Sequence, residues 1–237
     1  MNEISFIGSG APLLRAIKFS INNSINIHTI FVPEGDEIIG PLKKMNITEN
    51  NGLKIIQTKK ESFPRDFSKN TLNFSGYVFS INNSFIINDD LIKKNLRFLN
   101  IHNGLIQEYR GIGELCVFSA YCNKEQEYGA TIHKINPGEA VDSGEMLIQK
   151  KFSTAGIKSF EELMIKSIKN YEEIFQENLF NILKDDMYDQ ARKVPISDLI
   201  HLYSNFNSWY ETPNEGAHSL GFFSEKYKKL NKLIKEN

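Results

Sequence analysis

Ile4-Ser5-Phe6-Ile7-Gly8-Ser9-Gly10, with residues 11–22 and 25–32 behind it, is the stretch that decides the fold. Residues 4–7 form a short apolar run of strand length. Residues 11–22 carry Leu13, Leu14, Ile17 and Ile21 at helical spacing. Ile27-His28-Thr29-Ile30-Phe31-Val32 is β-branched and nearly continuous in apolar character, as strands covered on both faces are. Strand, helix and strand at these lengths make the βαβ unit of a parallel sheet.

Working outward, further strands are expected at 53–57, 77–80, 98–102, 130–135 and 146–152. The predicted fold class is therefore α/β: a Rossmann-like, mostly parallel sheet with helices on both faces. Ser159 and Glu162 stand three apart in a capping-box arrangement. After them Phe160, Leu163, Met164, Ile168, Tyr171, Ile174, Phe175, Leu179 and Ile182 recur every three or four residues, a one-sided stripe for packing on the sheet. From Asp185 the texture changes. Tyr203, Phe206, Trp209 and Tyr210 crowd together before a turn signal at 213–216, and five lysines punctuate 226–235. This divides the chain into a main domain, 1–185, and a short C-terminal extension, 186–237, whose aromatics must bury against the body or a second subunit.

Composition sets the outer bounds. Lys and Arg number 28 against 29 Asp and Glu, so the net charge is −1, and no basic surplus exists to coat a nucleic acid. No apolar run approaches the length of about 20 residues that spans a bilayer. Glu3 stands where a signal peptide carries Lys or Arg, which points to a cytoplasmic location. Cys116 and Cys122 read as two free thiols of a reducing compartment. The five histidines are scattered, so no metal is expected.

Two places carry chemistry. Gly8-Ser9-Gly10 lies between strand and helix, where amides at a helix N-terminus receive phosphate, and Gly10 is a candidate for substrate contact. The third glycine of a dinucleotide fingerprint is missing, Leu13 standing in its place, so a dehydrogenase is excluded. The denser region is 98–147. Asn100 and His102, two apart on a strand, project on one face at its carboxyl end. Gly129-Ala130-Thr131-Ile132-His133 forms another strand, and Asp142 sits in a loop feeding the next. An acid near a histidine orients the ring and stabilises imidazolium.

Asn100-Ile101-His102, Leu105-Ile106-Gln107-Glu108-Tyr109-Arg110-Gly111, Gly129-Ala130-Thr131-Ile132-His133 and Asp142-Ser143-Gly144 together resemble the core of the formyltetrahydrofolate-dependent formyltransferases. The ordered combination is specific and covers about 50 residues strongly, whereas any single piece is weak. The resemblance implies a catalytic set of Asn100, His102 and Asp142 acting on an amine and the formyl carbon of 10-formyltetrahydrofolate, without a metal. Asn100 and protonated His102 would stabilise an oxyanion, and Asp142 would anchor the histidine or a relay water. Phe79, Ser80 and Ile81 fall where the family lines its pterin pocket. Asn103 and Gly104 replace the family's Pro and Ser, and Gln107 its later Pro. The loop between His133 and Asp142 is about two residues longer than in the purine and transfer-RNA enzymes, so pterin contacts are not carried over from residues 134–141.

The neutral charge and short extension weigh against a transfer-RNA acceptor. A core with an aromatic extension resembles the nucleotide-sugar N-formyltransferases, commonly dimers, that modify dTDP-4-amino-4,6-dideoxyhexoses for surface polysaccharides. The expected partners are therefore a nucleotide-linked amino sugar, a folate and a second copy in a homodimer. Tyr109 and Arg110 are the candidate sugar contacts. Glycinamide ribonucleotide formyl transfer, or a non-catalytic binding protein of the same fold, stands as the alternative.

Overall fold

The computed structural model describes residues 3–44, 53–92, 95–184 and 187–194, and the backbone of 201–203. In chain order the elements are β1 (Ile4–Gly8), α1 (Gly10–Asn22), β2 (Ile27–Pro33), α2 (Ile39–Lys44), β3 (Lys54–Thr58), α3 (Phe63–Asn70) and β4 (Gly76–Ile81). There follow β5 (Leu96–His102), β6 (Tyr109–Gly111), α4 (Gly113–Cys122), β7 (Glu127–Lys134), β8 (Met146–Ser153), α5 (Phe160–Leu183) and β9 (His201–Tyr203).

Seven strands make one sheet in the order β3-β2-β1-β4-β5-β7-β8. The first five are parallel, as the opening βαβ unit requires. β7 runs antiparallel to both β5 and β8. The sequence pattern foretells strands there but not this reversal, because apolar runs buried on both faces look alike in either direction. β6 and β9 form a separate two-stranded parallel pair, and neither was anticipated as a strand. Three residues are too few to show a period.

Side chains alternate along β5 and sort themselves between the two faces. Leu99 and Ile101 join the core packed by α1 and α5, whereas Phe98 joins Phe31, Phe63 and Phe67 on the α3 face. Asn100 and His102 share the Phe98 side by the same alternation. Leu13 and Ile17 of α1 are fully buried. Each such side chain contributes about 1.5–3 kcal/mol, so the stripe anchors this 13-residue helix more than its propensity does. A third core joins α4 to the start of α5 through Phe118, Phe160 and Leu163.

The α5 cap forms in a modified way. Ser159 Oγ accepts from the Glu162 amide at 3.2 Å, as the capping box predicts. The Glu162 carboxylate, however, takes the Lys158 amide at 2.7 Å, one residue before the cap, satisfying a donor just outside the helix.

Residues 187–194 stay on the main body. Tyr188 meets Tyr77 edge-on at 6.0 Å and carries the Lys134 ammonium 4.4 Å above its ring. Arg192 and Met146 exchange backbone bonds of 2.8 and 2.9 Å. The aromatics Phe206, Trp209 and Tyr210, the turn at 213–216 and the lysines of 226–235 lie outside the described residues. Neither cysteine forms a disulfide among the described residues; burial raises the Cys116 thiol well above its ordinary value and pushes Cys122 up to about 11, which keeps both thiols protonated at neutral pH.

Candidate active site

β5 and β7 pair with Asn100 opposite His133 and His102 opposite Thr131. Because paired residues share a face, this register gathers the polar side chains at the carboxyl end of β5. The loop before β8 then brings Asp142 over them, in the left-handed backbone region at φ 49°.

Asp142 is the hub. Its Oδ1 accepts from Asn100 Nδ2 at 2.9 Å and lies 3.2 Å from His133 Nε2. Its Oδ2 accepts the Gly111 amide at 2.7 Å and lies 3.2 Å from His102 Nδ1. The cluster is nearly closed to solvent: His102 is 4% exposed, His133 2% and Asp142 9%. Burial alone would raise the Asp142 pKa. The charge of His102, the His133 contact and the Gly111 amide outweigh it and hold the carboxyl well below the usual carboxylate range.

The rings are oriented by what their other nitrogens meet. His133 Nδ1 donates to the Lys134 carbonyl at 2.8 Å, since a carbonyl can only accept. In the neutral ring Nε2 then accepts from Asn100 Nδ2 at 3.1 Å. His102 Nε2 faces the Tyr109 carbonyl at 3.0 Å while Nδ1 faces the Asp142 carboxylate. Two acceptors suit a doubly protonated ring. Burial works against that charge more strongly than Asp142 favours it, so His102 takes its second proton below its ordinary pKa.

The structure brings Asn100, His102 and Asp142 together as a connected group. Three partners lay beyond the sequence argument. His133 stands in the sequence as part of a strand motif, although its two-residue spacing from Thr131 is the same signal that links Asn100 to His102. The Gly111 amide and the Tyr109 carbonyl are backbone groups with no side-chain signature.

The other candidates are placed differently. The Tyr109 side chain, expected at the sugar, is fully buried, with its hydroxyl donating to Glu125 at 2.7 Å and accepting from Asn123 at 3.0 Å. What it offers the site is its carbonyl. Arg110 is 7% exposed and donates Nε to the Ile106 carbonyl at 2.7 Å. Gly10 gives its amide to Asp36 Oδ1 at 3.3 Å, so a carboxylate already caps α1. Phe79 is a core residue meeting Phe175 edge-on at 5.3 Å, and Ser80 is buried beside it. Ile81 alone borders a groove, shared with Pro12, Ile101 and Tyr171 on the α1–α5 side of the sheet.

Among the described residues no group of three or more His, Cys, Asp or Glu side chains is arranged to hold a metal ion. None of their helices is long and apolar enough to cross a membrane.

Residues 44–179 match the formyl transferase family, and the chain belongs to it. Solved structures of the same fold lie in two branches. One is the N-formyltransferase of Helicobacter canadensis in complex with folinic acid and dTDP-3-aminofucose (TM-score 0.64, 17% identity, covering 87% of this chain and 74% of that one). A sugar N-formyltransferase from a Shewanella species gives a TM-score of 0.65 at 20% identity, covering 88% and 80%. The phosphoribosylglycinamide formyltransferase of Campylobacter jejuni gives 0.62 at 19% identity, covering 76% and 97%. No curated protein sequence matches the chain.

Proposed function

We propose that this protein transfers the formyl group of 10-formyltetrahydrofolate to the amine of a nucleotide-linked amino sugar, a dTDP-4-amino-4,6-dideoxyhexose or a close relative made for surface polysaccharide. The observation that carries the reading is the Asp142 hub, one buried carboxylate tied to two imidazoles, an amide side chain and a backbone N–H. An amine attacking a carbonyl carbon must lose a proton while negative charge grows on the carbonyl oxygen. Ionised Asp142 supports an imidazole that gains the proton.

Asn100 supplies the oxyanion donor on one condition. Both of its N–H groups are engaged here, by Asp142 and by His133. When Nε2 of His133 is protonated it becomes a donor to Asp142, and one Asn100 N–H is released toward the reacting oxygen. Proton uptake and oxyanion stabilisation are thereby linked in one network.

The fit to the reactants rests on unpartnered buried atoms. Among the described residues Asn103 Oδ1 and Asn170 Oδ1 are buried without a hydrogen-bond donor, and Asn170 is 5% exposed. Asn103 Nδ2 is fixed on Ser167 Oγ at 3.1 Å, which leaves its oxygen without a donor. The N–H and O–H groups of an amino sugar would satisfy these oxygens only if the surface over them opens when the sugar binds. The folate, when bound, supplies the formyl carbon. The backbone beyond Ile81 would hold it, where the Asn82 amide donates to the Tyr171 hydroxyl at 3.0 Å.

A phosphoribosyl acceptor is disfavoured on one observation. The α1 N-terminus, the ordinary seat for a monophosphate, has its Gly10 amide on the Asp36 carboxylate, and Pro12 has no N–H to give. A cytoplasmic homodimer completes the proposal, and sedimentation would report its mass. The deciding test incubates the enzyme and 10-formyltetrahydrofolate with dTDP-4-amino-4,6-dideoxyglucose, dTDP-3-aminofucose or glycinamide ribonucleotide. Tetrahydrofolate release is expected with a dTDP sugar. Release with the ribonucleotide alone overturns the acceptor, and full activity in His102→Ala overturns the catalytic assignment.

A further inference from the structure

We propose that β9, the last strand among the described residues, is a brace for the catalytic cluster, acting through β6. This rests on the reading of Asp142 and His102 as the reacting network. β6 is three residues long and belongs to no part of the main sheet. Two of those residues give the cluster its only backbone contacts from this strand: the Tyr109 carbonyl on His102 Nε2 at 3.0 Å and the Gly111 amide on Asp142 Oδ2 at 2.7 Å.

The buried Tyr109 and Arg110 side chains anchor this strand through Glu125, Asn123 and the Ile106 carbonyl, and its backbone is held at two further points. The Tyr109 amide closes a turn on the Leu105 carbonyl at 2.8 Å, and the Arg110 carbonyl receives the weak Cys116 Sγ donor at 3.4 Å. Gly111 stands at φ 91°, a region glycine enters freely and leaves as freely. A short strand of this kind holds one geometry only if a partner strand supports it. β9 is that partner, pairing Tyr109 with His201, Arg110 with Leu202 and Gly111 with Tyr203.

The division of labour follows from the pleat. Tyr109 and Gly111 turn a carbonyl and an amide to the catalytic side. Arg110, between them, turns its own N–H and C=O to the other side, toward β9. In a parallel register the groups that meet it are the His201 carbonyl and the Tyr203 amide. The far end of the described chain thus sets where His102 and Asp142 find their backbone partners, and no side chain of β9 need reach the substrate.

The test separates backbone from side chain at one position. Tyr203→Pro removes the amide, whereas Tyr203→Ala keeps it. In Tyr203→Pro, kcat for the dTDP sugar turned over by the wild type is expected to fall at least about tenfold. KM for 10-formyltetrahydrofolate should stay within about twofold, and the hydrogen-bonded His102 ring N–H should vanish from the spectrum of ¹⁵N-histidine protein. Tyr203→Ala should match the wild type in all three. Equal behaviour of the two variants, in either direction, overturns the brace. If Tyr203→Pro does not fold, amide exchange in the wild type decides: slow exchange at Arg110 upholds the pairing, and exchange at loop rates overturns it. Asp142→Asn is assayed alongside. Retained turnover there sinks the site reading itself, while loss there with an active Tyr203→Pro sinks only the brace.

Discussion

Gly104 and His102 are matched in space: a Cβ on residue 104 would stand 2.5 Å from His102 Nε2 and 2.9 Å from Cδ2. The missing side chain is what lets the ring lie back against the Tyr109 carbonyl. Gly104→Ala should therefore expel the ring from this position, costing about 1–3 kcal/mol of stability and at least tenfold in turnover. Urea denaturation and steady-state kinetics check the two effects. An alanine variant with wild-type stability and rate would show that the ring does not need this seat.

The pH dependence of stability has a definite sign. Both His102 and Asp142 sit below their ordinary pKa in the folded chain, the first through burial and the second through its partners. At these two groups the unfolded chain then binds more protons than the folded one, first as pH falls through about 6.5 and again below about 4, while Glu108, raised by burial, works in the opposite sense. Stability should decline in two stages on acidification, with His28, also lowered by burial, adding to the first. His102→Asn should lose less stability than the wild type between about pH 7.5 and about pH 5.5. An unchanged difference would remove His102 as the source.

Gln107 and Gln149 exchange amide bonds in both directions, at 3.2 and 2.9 Å, and Gln149 also donates to Thr131 Oγ1 at 3.0 Å. Thr131 in turn donates to the Gly104 carbonyl at 2.7 Å. This chain does by hydrogen bonding what a proline at 107 would do by ring closure, tying the loop after His102 to β7 and β8. A double-mutant cycle of Gln107→Ala and Gln149→Ala should give a coupling of about 0.5–1.5 kcal/mol. Strict additivity would mean the pair is decorative.

Tyr171 links α5 to the turn after β4. Burial pushes its hydroxyl pKa up, so it is a neutral partner for the Asn82 amide at every working pH. Tyr171→Phe leaves that amide unpartnered and should cost about 1–3 kcal/mol. If the turn carries the folate, KM for the formyl donor should rise more than kcat falls. A variant that loses stability but leaves KM untouched would place the folate elsewhere.

How much of this is legible in the sequence depends on the length of the signal. The βαβ opening, the α5 stripe and seven strands follow from periods of two and 3.6 sustained over enough residues to register. A spaced motif links Asn100, His102 and Asp142 in the sequence, and the fold joins the three side chains into one bonded group. His133 carries no such signal, since a histidine on a strand face is structural more often than not and only the β5–β7 register pairs it with Asn100. Tyr109 misled for the opposite reason: its contribution is a carbonyl, and any residue type carries one. Gly10 looked receptive to phosphate until Asp36, 26 residues away, was seen to cap it.

The pairing of β5 with β7 has one more consequence. Asn100 faces His133 only in the observed alignment; displacement by one residue would set Ile132 beside Asn100 and turn His133 to the opposite side of the sheet. On the proposed function, turnover would act as a built-in proofreader of strand alignment. During refolding, recovered enzyme activity would count only those chains whose antiparallel half has closed in the correct frame, and it would lag behind any spectroscopic signal that merely reports strands.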